Sequence, residues 1–111
     1  MSRFAMIRNM YQPKTSRDLL IDLGVGQYNA TMLIETLMMA PATTEAAAAP
    51  TMLLVGHIQE ALNDMGAELV VNGYIDEPTA QCLSQITGRG FLQLSWFEVV
   101  KDVVAARRAG I

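Results

Sequence analysis

The chain has 111 residues, 51% hydrophobic and 17% charged, with eight Met, seven aromatics, one Cys and a net charge of −3. That length holds one domain, or a small domain with an arm. The acidic balance without a basic stripe excludes nucleic acid as an expected partner, and a single cysteine excludes an internal disulfide and a Cys-based zinc site.

Charge is unevenly placed. Residues 1–24 carry four basic and two acidic side chains, whereas residues 51–111 carry four basic and seven acidic ones. The simplest description is a small positive arm on an acidic body. "MSRFAMIRNMYQPK" lacks the apolar core of a secretory signal, so synthesis in the cytoplasm without a signal peptide is expected. The most apolar run, "AAAAPTMLLVG", is too short to span a bilayer and contains a proline. Eight Met and an apolar excess suit either an aliphatic, sulfur-rich core or a surface that meets a partner.

In chain order, "TSRD" at 15–18 reads as a capping box, with Leu19, Leu20 and Leu23 behind it and Gly24 as a left-handed stop, so a helix is predicted over 16–23. Asn29 is a good N-cap, and Tyr28 and Leu33 sit at staple positions; a helix over 30–40 follows, ended by Pro41. "PATTEAAAAP", 41–50, carries no core side chain and reads as a linker, although its alanines also favour helix. Next, Val55, Ile58, Leu62 and Met65 mark one helical face, with Gln59, Glu60, Asn63 and Asp64 turned elsewhere and Gly66 at the end. "AELVV" is predicted as a short extended piece, part of a two-strand remnant.

Asn72-Gly73 is a turn signal because both residues tolerate positive φ. Asp76 is an N-cap, Glu77 suits the helix dipole, and Pro78 sits in the first turn, so the next helix runs 77–87 with Thr79, Leu83 and Ile86 inward. "GRG" at 88–90 breaks the chain. Ser95 and Glu98 form a second capping box for a last helix over 96–109, carrying Trp96, Val99, Val100, Val103 and Val104. The domains expected are a helical arm over 1–40, a linker over 41–50 and a three-helix body over 51–111.

Catalytic chemistry is hard to assemble from these residues. His57 is alone, so neither a His-based metal site nor a cofactor site is expected, and a surface or structural role suits it best. Asp76 and Glu77 are adjacent at a helix start and do not face each other across a cleft. Ser84 and Ser95 have no base placed beside them. "GVG" and "GRG" lack the rest of a phosphate-binding motif. Cys82 reads as a small buried hydrophobe. No enzyme is expected.

The string "VGHIQEALNDMGAELVVNGYIDEPTAQCLSQI", 55–86, resembles the peptidoglycan-binding domain, the small three-helix module of bacterial and phage cell-wall hydrolases. The family's pattern is a helix with a Leu/Ile-Gln pair and a closing Gly, then a loop of the form Asp-Gly-x-Phe/Ile-Gly-x-x-Thr. Ile58-Gln59, Leu62, Gly66, Val71, Gly73, Ile75, Thr79 and Leu83 fall in that register. Asn72 stands where the loop's Asp is usual, and "DEP" replaces its second Gly.

The resemblance implies an all-α, three-helix peptidoglycan-binding-like bundle with an N-terminal helical arm. Gly73, Ile75 and Thr79 would shape the loop. Gln59, Asn63, Asn72, Tyr74, Asp76 and Gln81 would face the ligand, with Tyr74 stacking on a sugar. It implies a non-catalytic peptidoglycan binder. The missing export signal leads us to expect that it is phage-encoded, and the apolar, Met-rich N-terminal half that it is attached there to protein partners, either a homo-oligomer or a virion assembly. The alternative is a structural virion or assembly protein that keeps the fold without binding peptidoglycan.

Overall fold

The computed structural model describes residues 10–26, 36–44, 49–88 and 90–110. It is an all-α bundle. Among the described residues four helices follow in order: α1 (Ser16–Leu23), α2 (Ala49–Asp64), α3 (Glu77–Thr87) and α4 (Trp96–Arg108), with a 3-10 turn over Phe91–Gln93.

The two body helices predicted by their caps start where the caps place them. Asp76 accepts from the Thr79 N–H at 3.1 Å, and Ser95 accepts from the Glu98 N–H at 3.2 Å. Each cap satisfies one of the N–H groups that a helix start leaves without an intrahelical partner.

α4 is the central helix, packing against α1, α2 and α3. It is buried on most of its circumference, through Trp96, Val99, Val100, Val103, Val104, Ala105 and Ala106, as expected of a helix enclosed by others. Leu54, Val55, Ile58, Ala61 and Leu62 approach it from α2, and Leu83 from α3.

The same core continues into the N-terminal half. Leu19, Leu20, Leu23, Val25, Met38 and Ala42 are all buried in it, so it runs across the expected arm, linker and body. Residues 38–42 also close the start of α4. The Trp96 N–H donates to the Ala40 carbonyl at 3.0 Å, the Phe97 N–H to Met38 at 2.8 Å, and Ala42 returns a bond to the Leu94 carbonyl at 2.8 Å. Pro41 and Ser95 form an isolated antiparallel bridge there. The expected linker 41–50 is thus structural at both ends, because Ala49 and Pro50 already belong to α2.

The end of α1 has all four of its last carbonyls occupied, which is how a buried helix terminus avoids unpaired acceptors. Gly24, at φ 116°, turns the chain left-handed, so its N–H reaches the Leu20 and Ile21 carbonyls while the Val25 N–H also reaches Leu20. Arg107 of α4 donates to the Asp22 and Leu23 carbonyls, the latter at 3.3 Å, and reaches the Asp64 carboxylate at 3.5 Å. Beside it, Tyr11 donates to Asp22 at 2.6 Å, and the Arg108 guanidinium lies 4.8 Å from the Tyr11 ring centroid. Burial, then the hydrogen bond to the Asp22 carboxylate, raises the Tyr11 phenol well above its ordinary value.

Three expectations change. "AELVV" makes no strand; the Asn63 side chain serves it instead, donating to the Leu69 carbonyl at 3.0 Å and accepting from the Leu69 N–H at 2.8 Å. A single amide supplies the donor and acceptor that a neighbouring strand would otherwise bring. Cys82 is half-buried. Thr87 takes a buried place on α3, its hydroxyl donating to Leu83 at 2.9 Å, while Ile86 is only partly covered. Of the helix expected over 30–40, Thr36 and Leu37 are helical; the Asn29 cap and the staple lie outside the described residues.

Candidate functional site

The loop between α2 and α3 is built around Gln59. This side chain stands one position after Ile58 on α2 and is fully buried. Its carbonyl oxygen accepts from the Asn72 N–H at 3.1 Å and the Gly73 N–H at 3.0 Å. Its amide nitrogen donates to the Tyr74 carbonyl at 2.8 Å, the Asn72 Oδ1 at 3.1 Å and the Thr79 Oγ1 at 3.1 Å. Two amide hydrogens are shared among three acceptors, and two backbone N–H groups fix which end of the amide points where. An amide can do this without bringing a charge into the core.

The residues expected to shape the loop surround that hub. Gly73 lies at φ +79°, and a Cβ there would sit 2.9 Å from the Met52 carbonyl oxygen. Only glycine lets the loop close onto α2 at this point. Ile75 is buried beneath the loop, and Thr79 is fully buried at the first turn of α3. The Thr79 hydroxyl, then its N–H, bonds the Asp76 carboxylate and, with the Asn72 side chain, holds that carboxyl below its ordinary value of 3.8. At neutral pH Asp76 is therefore an anion and an acceptor.

The six residues expected to face a ligand are placed differently from one another. Gln59 is enclosed, with all its polar capacity spent inside, so it does not reach a ligand. Asn63 is half-buried and committed to Leu69. Asn72 is exposed at its edge, and its Oδ1 also accepts from the Tyr74 N–H at 3.0 Å. Tyr74 is 51% exposed while its backbone is tied at both ends. Asp76 is partly exposed. Gln81 is exposed on α3 and lies 3.5 Å from Glu77. The structure thus brings Asn72, Tyr74 and Asp76 together on one rigid loop and sets Gln81 one turn further along.

A groove of about 400 Å³ opens on the α2 side of this loop. Met52, Leu53, Gly56 and Val71 make it apolar, and His57, Glu60 and Asn72 border it. Two glycines create it. Gly73 draws the loop against Met52, and Gly56 leaves the helix surface bare opposite Val71. His57 Nδ1 lies 3.9 Å from the Glu60 carboxylate. His57, expected in a surface or structural role, is half-buried here, and Gly56 was overlooked; a helical glycine facing a predicted loop was the available signal. Among the described residues no group of three or more His, Cys, Asp or Glu is arranged to hold a metal ion.

No protein-family model, no curated protein and no solved structure matches the chain.

Proposed function

We propose that the chain is a non-catalytic module that binds peptidoglycan through the outer edge of the α2–α3 loop. One observation carries this reading. Four of the residues on which the resemblance rests build the loop: Gln59 braces it, Gly73 lets it close, Ile75 and Thr79 seat it. What they hold outward is Tyr74, flanked by Asn72 and the ionised Asp76. A half-exposed tyrosine on a backbone tied at both ends can stack on a sugar face with little loss of conformational entropy.

The test is retention of the purified chain on insoluble peptidoglycan sacculi over a range of salt. Saturable retention is expected, and Tyr74→Ala lowers it by about tenfold with no change in melting temperature. Absence of retention, or equal retention of the variant, removes the reading. A second reading then ranks first: an assembly protein, of virion or other type, that keeps the braced loop without the wall ligand. The apolar surface left open at Leu53, Val70 and Val71 favours it.

A further inference from the structure

The groove beside the loop has a property that the wall-binding reading does not use. Its interior is apolar, with Leu53 and Val71 37% and 46% exposed along it. Its one charged lining residue is acidic, Glu60. Between residues 18 and 88 the chain contains no Lys or Arg, and residues 49–88 carry Glu60, Asp64, Glu68, Asp76 and Glu77. Asp64 is drawn away toward Arg107 at the far end of α2. Glu60 stands on the border itself, its side chain 61% exposed, facing a histidine that is a cation only when protonated. Asp76 is joined to the same border through the Asn72 side chain.

We infer that this groove docks a segment of a partner protein bearing an aliphatic anchor residue flanked by lysine or arginine. The anchor replaces water over Met52, Leu53 and Val71, and the depression at Gly56 gives it depth. The flanking cations meet Glu60 and Asp76. Among the described residues no Lys or Arg lines the groove, and an apolar trough with a carboxylate on its border attracts a cationic partner and repels anionic lipid and nucleic acid. The volume, near the lower end of the roughly 300–1,000 Å³ usual for ligand pockets, takes a side chain or two from an extended segment. Tyr74 does not line the groove whereas Asn72 does, so the groove adjoins the proposed wall-binding edge and is distinguished from it by its apolar floor at Met52, Leu53 and Gly56.

The experiment uses the full chain, immobilised, and a displayed library of random twelve-residue peptides. Enriched sequences are expected to combine one or two large aliphatic residues with at least two Lys or Arg. A synthetic enriched peptide, measured by fluorescence anisotropy, should bind Gly56→Leu at least about tenfold more weakly, because the leucine fills the groove. Leucine also suits a helix better than glycine, so the melting temperature should not fall. Glu60→Lys should weaken binding and flatten its salt dependence. Enrichment of acidic or uncharged peptides, failure to enrich any, or equal binding by Gly56→Leu overturns the inference. So does concentration-dependent dimerisation abolished by Gly56→Leu, which would make a second copy the occupant. Sacculus retention by Gly56→Leu should match wild type, which separates the two surfaces.

Discussion

Two segments are fastened to the α2–α4 frame by opposite means. The loop at 66–79 is held by Gln59, a neutral, fully buried amide that both donates and accepts. The end of α1 is held by Arg107, a partly exposed cation that only donates. The partner decides the choice. A loop presents N–H and C=O groups together, and an amide matches both. A helix end presents carbonyls alone at the negative end of its dipole, and a guanidinium matches those. The first solution costs little desolvation but fails badly if its one residue is lost. The second sits near water and is more forgiving.

The largest test removes one side of the comparison. A chain starting at residue 51 loses Leu19, Leu20, Leu23, Val25 and Met38 from the core. Burial of such side chains stabilises by on the order of 10 kcal/mol in sum, as much as a small domain usually has in total. We expect that fragment to be unfolded by circular dichroism; a cooperative melt near that of the full chain would show that the N-terminal half is dispensable.

Next comes Gln59→Ala, which leaves the buried Gly73 N–H and the Tyr74 carbonyl without their Gln59 partner. The expected loss is about 3 kcal/mol, a fall in melting temperature of roughly 15 °C. A drop of a few degrees would mean that the loop is held by Gly73 and Ile75 instead. Arg107→Met keeps the packing of the stem and removes the charge-assisted bonds, for about 1–2 kcal/mol. Amide exchange should accelerate in α1 and stay unchanged in α3; uniform acceleration would deny a local fastening.

The smallest effect is a pH dependence at the loop. The Asp76 carboxyl has a folded pKa below its ordinary 3.8, so the folded chain binds fewer protons there than the unfolded chain. Its contribution is fully present above about pH 4 and is lost as pH falls through the lowered folded value. Asp76→Asn should shallow the acid limb of the stability curve while still capping α3. An unchanged limb would place the acid sensitivity on other carboxylates.

Much of the fold was legible because the chain writes its helix ends locally. Thr15, Gly24, Asp76 and Ser95 are caps whose action spans a few residues, and α1 and α3 match the predicted spans. The loop's turn at Asn72-Gly73 was legible for the same reason. Gln59 was misplaced by periodicity: a polar residue off the apolar stripe reads as solvated, and nothing near it in sequence announces partners 13 to 20 residues away. The groove was invisible for a related reason. It needs Gly73 to close on Met52 and Gly56 to face Val71, and a cavity has no residue of its own.

By itself, then, the sequence determined α1, α3 and the start of α4, with their caps and the turn, since these depend on hydrogen bonds and dihedral preferences among near neighbours. The tertiary structure decided where the core stops. It drew Met38 to Ala42 onto the start of α4 and Arg107 onto the end of α1, because helix ends must find partners for their free N–H and C=O groups wherever the fold supplies them. It also decided which polar side chains stay inside and which remain at the surface. That depends on what each amide or carboxylate meets once the chain has closed, and composition does not record it.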